Sequence, residues 1–520
     1  MNKRQKIIVS ITGIFMVLLV LVGLTYAYFL TQIKGNINNK SINVTTANLK
    51  LVYNDGTDGI IGGEQLFPGD TEYSKTFTVK NEGNANIEYG VYLINVINTF
   101  TRKDDIKYTI TCNTDGTLPC GTATSTTFPN GIKQVVTASI EPNKTHTYTF
   151  KFTYKDTGTD QSVDMGKELS AKIQIFGKNK KGEYLPYEEG TLAYSVINYV
   201  KNGNLEGKTT FIANLDATGM VDNITTATDK ILSTANDDYG TSYYFRGNPI
   251  DNYVNYADMC WRIVRIQGDG SAKLILASEL PCTETNLTTD SGYITDGTRG
   301  VKGTMFTGHY GYKIQNTTEL NDYINSPEYN FYSARTQLNS WLNRKITAEE
   351  QNLLKNEQWC IGDLTNAYND DNSGEIIGVV DELIANNLSF KYTAGNRYWA
   401  TKTPTYECKK TGKEGEIDVN KIGMLTFDEI VYAGGGNISN SNYFLNKNAE
   451  IYYWWSLSSN GFYSDKFSAD AFIIYPNGRI GGAMIGSGGI YIRASISLKS
   501  DVLISDGVGT INDPFIISMD

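Results

Sequence analysis

The sequence predicts a chain in three parts: an N-terminal transmembrane segment, an all-β antiparallel sandwich, and an α+β domain. Three observations lead there. An uncharged apolar run fills residues 7–30. From about residue 42 to 176, apolar and polar residues alternate with the period of half-buried strands. Beyond residue 190, helical spacings and β-rich runs are interleaved, as in an α+β unit. The expected parts are an export segment at 1–34, the sandwich at 35–178, a connector with a helix at 179–232, and a ligand-binding α+β domain at 233–520. A chain of 520 residues accommodates about three domains.

Lys3, Arg4 and Lys6 precede the apolar run. As a helix, the run spans roughly 36 Å, enough for the hydrocarbon core of a bilayer. The positive flank should stay in the cytoplasm, so the bulk of the chain is expected outside, on a single-pass membrane protein. The stretch GLTYAYFLTQ (23–32) closes this run and supports two readings. Thr25 and Ala27 are the small residues a signal peptidase reads, giving cleavage after Ala27 and a secreted chain. Tyr28, Phe29 and Leu30 prolong the apolar run and suit the interface end of a retained anchor.

The net charge of -10 argues against nucleic acid or anionic lipid as the main partner, because neither meets a basic field. Only two histidines occur, His146 and His309. No Ser-His-Asp or Cys-His set, zinc-ligand spacing or phosphate loop is recognisable, so no catalytic or metal residue is expected and the chain is not read as an enzyme. A carboxylate-pair glycosidase stays open, since 56 acidic residues offer many pairs. Calcium is the one cofactor the composition suggests, at NDGTDG (54–59) or YNDDNSGE (368–375), but such stretches are more often plain turns, and in the second the glycine and closing acid fall out of register for a calcium loop.

The cysteines form three neighbouring couples: Cys112 and Cys120, Cys260 and Cys282, Cys360 and Cys408. In an exported chain an even set reads as disulfides. Nearest-neighbour pairing is one of about fifteen schemes. CNTDGTLPC (112–120) carries turn residues that bring its ends together. Buried, reduced thiols are the alternative.

Within the sandwich, KTFTVKN (75–81) alternates Phe77 and Val79 against polar neighbours. HTYTFKFTY (146–154) lines up Tyr148, Phe150, Phe152 and Tyr154, and LSAKIQIF (169–176) lines up Ala171, Ile173 and Ile175. His146, at the start of its strand, is expected on the surface. TYAYF (25–29), LFPGDTEYSKTFTVKNEGN (66–84) and YKDTGTDQSVDMGKELSAKIQIF (154–176) together resemble the camelysin and TasA-like group of bacterial surface and biofilm-matrix proteins. That resemblance, over roughly residues 20–180, implies an Ig-like or jelly-roll sandwich and, in some members, self-assembly into fibres.

GKNKKGEYLPYEEG (177–190) is a charged connector, followed by a helix in TLAYSVINYVKN (191–202) with Thr191 as its cap. CWRIVRI and KLILA flank Gly268-Asp269-Gly270 as a hairpin. SARTQLNSWLNRK (333–345) is a helix with Leu338, Trp341 and Leu342 on one face. TAEEQNLLKN (347–356) and TFDEIVYAGG (426–435) open with Thr-x-x-Glu capping boxes. Pro476-Asn477-Gly478 should turn another hairpin.

Long strings here resemble exported proteins of Firmicutes-type bacteria, among them DDYGTSYYFRGNPIDNYVNYADMCWRIVRIQGDGSAKLIL (237–276), KIGMLTFDEIVYAGG (421–435) and YYWWSLSS (452–459). The C-terminal regions of those proteins look like the C-type-lectin or formylglycine-generating-enzyme-like fold. The resemblance implies such a fold here without an activity attached to it.

Tyr452, Tyr453, Trp454 and Trp455 read either as a sugar- or protein-stacking cluster or as a strand buried on both faces. Ligand contacts are expected from the turns around it, at Asn460, Tyr463, Asp465, Asn477, Arg479 and Tyr491. The functional expectation is a membrane-anchored adhesion or ligand-binding protein that meets a surface protein or glycan. The alternative is a secreted matrix-fibre subunit, and a glycan hydrolase is third.

Overall fold

Period-two alternation becomes strand throughout the first half of the chain. The computed structural model describes residues 30–35, 41–44, 49–54, 67–69, 73–129, 131–177, 187–201, 209–222, 230–290, 292–294, 334–362, 365–408, 416–446, 452–464, 468–484, 487 and 489–519. The apolar segment up to residue 29, Ala27, the 55–59 part of the first calcium candidate, His309 and Asp465 lie outside them. Among the described residues no helix is long and apolar enough to cross a membrane. The protein is mostly β-sheet, and the chain divides into two compact units, Met1–Pro186 and Tyr187–Asp520.

In the first unit a four-stranded sheet has the order Leu30–Gly35, Glu168–Gly177, Ile87–Asn98, Lys133–Ile140. A six-stranded sheet has the order Ser41–Val44, Leu49–Asn54, Tyr73–Asn81, Thr145–Tyr154, Ile106–Thr114, Ala123–Thr127. Leu30–Gly35 pairs in parallel with its neighbour; the other ladders are antiparallel. Both sheets contribute to one core, with Phe77, Val79, Tyr148, Phe150 and Phe152 from one and Tyr89, Leu93, Leu169, Ile173 and Ile175 from the other. Alternation is strict in Thr145–Tyr154, where every second side chain is buried.

His146 obeys that alternation and is 1 % exposed. The surface placement expected for it is therefore corrected: period two puts it on the face of Tyr148 and Phe150. A ring-nitrogen contact satisfies it there, Nδ1 meeting the Tyr89 hydroxyl at 2.6 Å.

In the second unit, the main sheet runs Thr210–Phe211, Lys230–Asp237, Gly240–Gly247, Met259–Ile266, Tyr253–Tyr256, Phe515–Ile517, Ile504–Asp506. Ala272–Ser278 branches from Met259–Ile266 and carries Ser495–Leu498, which pairs with Ile422–Gly423. A second sheet runs Ile376–Val379, Asn366–Tyr368, Phe390–Lys391, Tyr453–Tyr463, Ser468–Ile474, Ile480–Met484. Glu357–Gly362 and Glu416–Asn420 form a separate antiparallel pair.

The predicted helices Leu192–Lys201 and Ala334–Lys345 form, and Leu338, Trp341 and Leu342 are buried. Leu192–Lys201 belongs to this unit: Thr191 caps it by accepting from Tyr194 N, and Leu192 N donates to Val502 O. Thr347–Glu350 makes its capping box but is followed by one 3-10 turn, Glu350–Leu353. The strand Met259–Ile266 is buried along its whole length although it contains Arg262 and Arg265. Arg262 is satisfied by neutral oxygens, donating to Asn252 Oδ1 and Pro249 O, whereas Arg265 is ion-paired; an unpaired buried charge would cost several kcal/mol (~3–5).

Candidate functional site: a charged cleft in the second unit

Arg265 is paired through two elements distant in sequence. Its Nη1 donates to Asp237 Oδ2 at 2.7 Å, and its Nε to Glu429 Oε1 at 3.2 Å. The Tyr406 ring lies beneath its guanidinium, 4.5 Å from the centroid. Asp237 sits at the turn between two adjacent strands, Lys230–Asp237 and Gly240–Gly247, and Oδ1 also accepts from Tyr239 N. Glu429 is the N3 residue of the helix Phe427–Ala433. Its Oε2 accepts from Thr426 N in the capping box, while Oε1 takes Arg265 and the Lys273 ammonium at 2.9 Å. The Thr-x-x-Glu motif that starts the helix thereby also fixes a carboxylate against two cations.

The same wall continues through Glu357 and Trp359. Lys273 lies over the Trp359 ring at 4.6 Å. Glu357 accepts from Gln267 Nε2 at 2.7 Å and from Lys355 at 3.4 Å, and Lys355 also donates to Asp269 at 2.7 Å. Trp359 packs so closely on Gly423 that a Cβ there would enter the indole ring. Arg397, also in the lining, forks onto Asp428, Nη2 to Oδ2 at 2.6 Å and Nε to Oδ1 at 3.3 Å, while Thr405 N donates to the same carboxylate. The Cys360–Cys408 disulfide, with Cα atoms 5.7 Å apart, ties the Trp359 wall to the Tyr406 wall.

These groups enclose a cleft whose free volume is about 40 Å³. That is room for about two or three waters, or the tip of one polar group. Its lining carries more acids than bases: Asp237, Asp238, Glu357, Glu407, Asp428 and Glu429 against Arg265, Lys273 and Arg397.

Burial raises the Glu357 carboxyl, but Lys355 and Lys273 beside it and the bonds from Ser497 and Gln267 outweigh burial and hold it down to about 2. Glu429 is lowered in the same way, burial opposing and Lys273 and Arg265 winning. For Asp428 burial prevails over Arg397 and the carboxyl is raised; Asp237 is raised by burial against Arg265. Neighbouring carboxyls are thus pushed in opposite directions, a pattern found where acid and base roles are divided. Yet Asp237, Glu357, Asp428 and Glu429 are each already bonded to a cation, and the free space is smaller than a sugar ring. The geometry suits holding one polar group more than turning over a glycan.

Of the residues expected to face a ligand, the structure gathers some and separates others. Tyr453 is 40 % exposed and packs on Tyr475 at 5.2 Å, and Arg479 lies over Tyr475 at 5.6 Å. Tyr491 packs on Tyr452 at 4.5 Å, and both meet Tyr293. Asn477 is exposed and binds Ser439 in the turn that Gly478 completes. Asn460, expected on the surface, is instead 2 % exposed, its Oδ1 accepting from Trp399 Nε1; Tyr463 is half-buried at the far end of the same strand. Trp454 and Trp455 are fully buried.

All six cysteines are bonded in the nearest-neighbour pairs, Cys112–Cys120, Cys260–Cys282 and Cys360–Cys408. In the second calcium candidate, the Lys391 ammonium donates to Asp370 O and to the Asn372 side chain, placing a resident cation among the loop's oxygens. Sequence reasoning missed the cleft because its members are spread from Asp237 to Glu429. Only the Thr426–Glu429 capping box and the Cys360 and Cys408 couple marked any of them. Comparisons with protein-family models, curated proteins and solved structures find no match for the chain.

Proposed function

We propose that this is an exported protein, tethered at the cell surface by its N-terminal apolar segment, whose second unit binds a ligand. The observation that carries the reading is the state of the cysteines: all six are spent in disulfides, in both units, as in chains that mature in an oxidising compartment. The first unit fits the Ig-like or jelly-roll stalk implied by the camelysin and TasA-like resemblance. The second is, in this reading, a C-type-lectin-like binding domain, as the resemblance of its strings implies. In this reading the ligand is a surface protein or glycan. Tyr453 and Tyr475, packed edge to face, and Arg479 offer it an aromatic and cationic surface, and the acidic cleft takes one polar substituent.

Binding of the full chain to bacterial and host surfaces and to a glycan array tests this. Binding that falls at least 10-fold in Tyr453→Ala or Arg479→Ala supports it, and no binding to any of them sinks it. The matrix-fibre alternative draws on one specific observation: the first described strand opens at Leu30, three residues after Ala27. A mature N-terminus at Tyr28, read by mass spectrometry of protein recovered from cells, would favour the fibre and remove the tether.

A further inference from the structure

We propose that Cys112, Cys120 and His146 form a zinc-type cation site that opens when the Cys112–Cys120 bridge is reduced. The two sulfurs and a His146 ring nitrogen lie within 4.8 Å of one another, and no other group of three or more His, Cys, Asp and Glu ligands does so among the described residues. Ligand distances of about 2.3 Å for zinc–sulfur and about 2.0 Å for zinc–nitrogen are reached from that spacing by side-chain rotation.

The strands set the placement. Cys112 and His146 lie on adjacent antiparallel strands, with Cys112 opposite Tyr148 and Thr114 opposite His146, so the two are diagonal neighbours on one face. Cys120 is returned to them by a loop that does not depend on the bridge. Asp115 accepts from Thr145 N at 2.6 Å, and Glu141 accepts from Leu118 N at 3.2 Å and from the Thr117 hydroxyl at 2.7 Å. The imidazole is oriented as well: its Nδ1 meets Tyr89 Oη at 2.6 Å, and that hydroxyl meets Tyr148 Oη at 2.8 Å. With Nδ1 so engaged, Nε2 is the nitrogen left to coordinate, and such a partner fixes both tautomer and ring plane.

Access favours this bridge over the others. Cys112 and Cys120 are both half-buried, whereas Cys260 and Cys282 are both buried and the third bridge is half-buried only at Cys360, with Cys408 buried. An external thiol therefore reaches this pair first. Two thiol equivalents convert the bridge to two cysteine thiols, becoming a disulfide themselves; the cation then displaces both thiol protons. Three protein ligands leave a fourth position for water. The oxidised protein has no thiolate to offer, so oxidation closes the site.

The test uses the full chain, oxidised and phosphine-reduced, titrated with Co²⁺ as a spectroscopic stand-in for Zn²⁺. Expected are about one equivalent bound to the reduced protein, with sulfur-to-cobalt charge transfer and tetrahedral bands, and none to the oxidised protein. The double variant Cys112→Ser, Cys120→Ser loses this binding. Tyr89→Phe weakens it about 10–100-fold, the effect of removing the group that orients a ligating histidine. Should the double variant fold poorly, alkylation of Cys112 and Cys120 in reduced wild type is the equivalent block. No stoichiometric uptake after reduction overturns the proposal. So does uptake that survives loss or blocking of both cysteines, since the ion would then sit on the other thiols. The outcome does not depend on what the second unit binds.

Discussion

Glu429 holds two structures together, a helix N-terminus through Oε2 and two buried cations through Oε1. Glu429→Ala leaves Arg265 and Lys273 short of a partner inside the protein and is expected to cost about 3–5 kcal/mol. Glu429→Gln keeps the cap and should cost less. Urea denaturation followed by tryptophan fluorescence reads this cleanly, because all six tryptophans lie at Trp261 or later and report the second unit alone.

The pH dependence at this scale has a definite sign. Glu357 is held at about 2, below its ordinary 4.5. It therefore contributes stability that is complete above 4.5 and is lost as pH falls toward 2, about 3 kcal/mol in all. Asp428 and Asp237, raised by burial, act oppositely: their cost at neutral pH is relieved as they protonate on acidification. The second unit should accordingly hold or gain stability as pH falls from neutral to about 4.5, while the two aspartates protonate, and lose it steeply below, as Glu357 protonates. Glu357→Gln should flatten that acid limb; an unchanged limb in the variant would show that other carboxylates govern it.

Among the elements, the hairpin Ser468–Ile474 to Ile480–Met484 is the most exacting. Its turn closes with Gly478 N donating to Tyr475 O and Tyr475 N donating to Arg479 O, both at 2.8 Å. Gly478 has φ +79°, and a Cβ there would collide with the Asn440 carbonyl. Gly478→Ala should destabilise the unit by about 1–3 kcal/mol through strain and overpacking, measured in the same fluorescence assay. Pro476-Asn477-Gly478 was readable as a turn from residue types alone. The segment 347–356 was less readable. Its capping box is real, but Leu354 bridges to Leu498 and Lys355 N donates to Ser497 O, so sheet contacts end the helix after one turn. Tertiary contacts outweigh helix propensity there.

At the scale of the whole chain, two compact units predict two cooperative transitions in calorimetry. Glu429→Ala should move only one of them. Exhaustive reduction should lower both, since Cys112–Cys120 lies in the first unit and Cys260–Cys282 and Cys360–Cys408 in the second. Loss of the Cys360–Cys408 bridge, which joins residues 48 apart, is expected to cost about 2–5 kcal/mol. A single transition, shifted as a whole by Glu429→Ala, would show that the chain unfolds as one body.

Taken alone, the sequence determined what depends on neighbours along the chain. Alternation in 146–154, the Thr426–Glu429 cap, the Gly478 turn and the short loop between Cys112 and Cys120 all act over a few residues, and physical rules of that range apply directly. Tertiary structure decided what depends on burial. It set the Tyr89 hydroxyl against His146 and took Asn460 under Trp399. It also brought Asp237, Arg265, Glu357, Arg397 and Glu429 around one cleft. Charge pairing acts through space and is strongest where water is excluded, so its partners are set by which strands and helices meet and not by how far apart they lie along the chain.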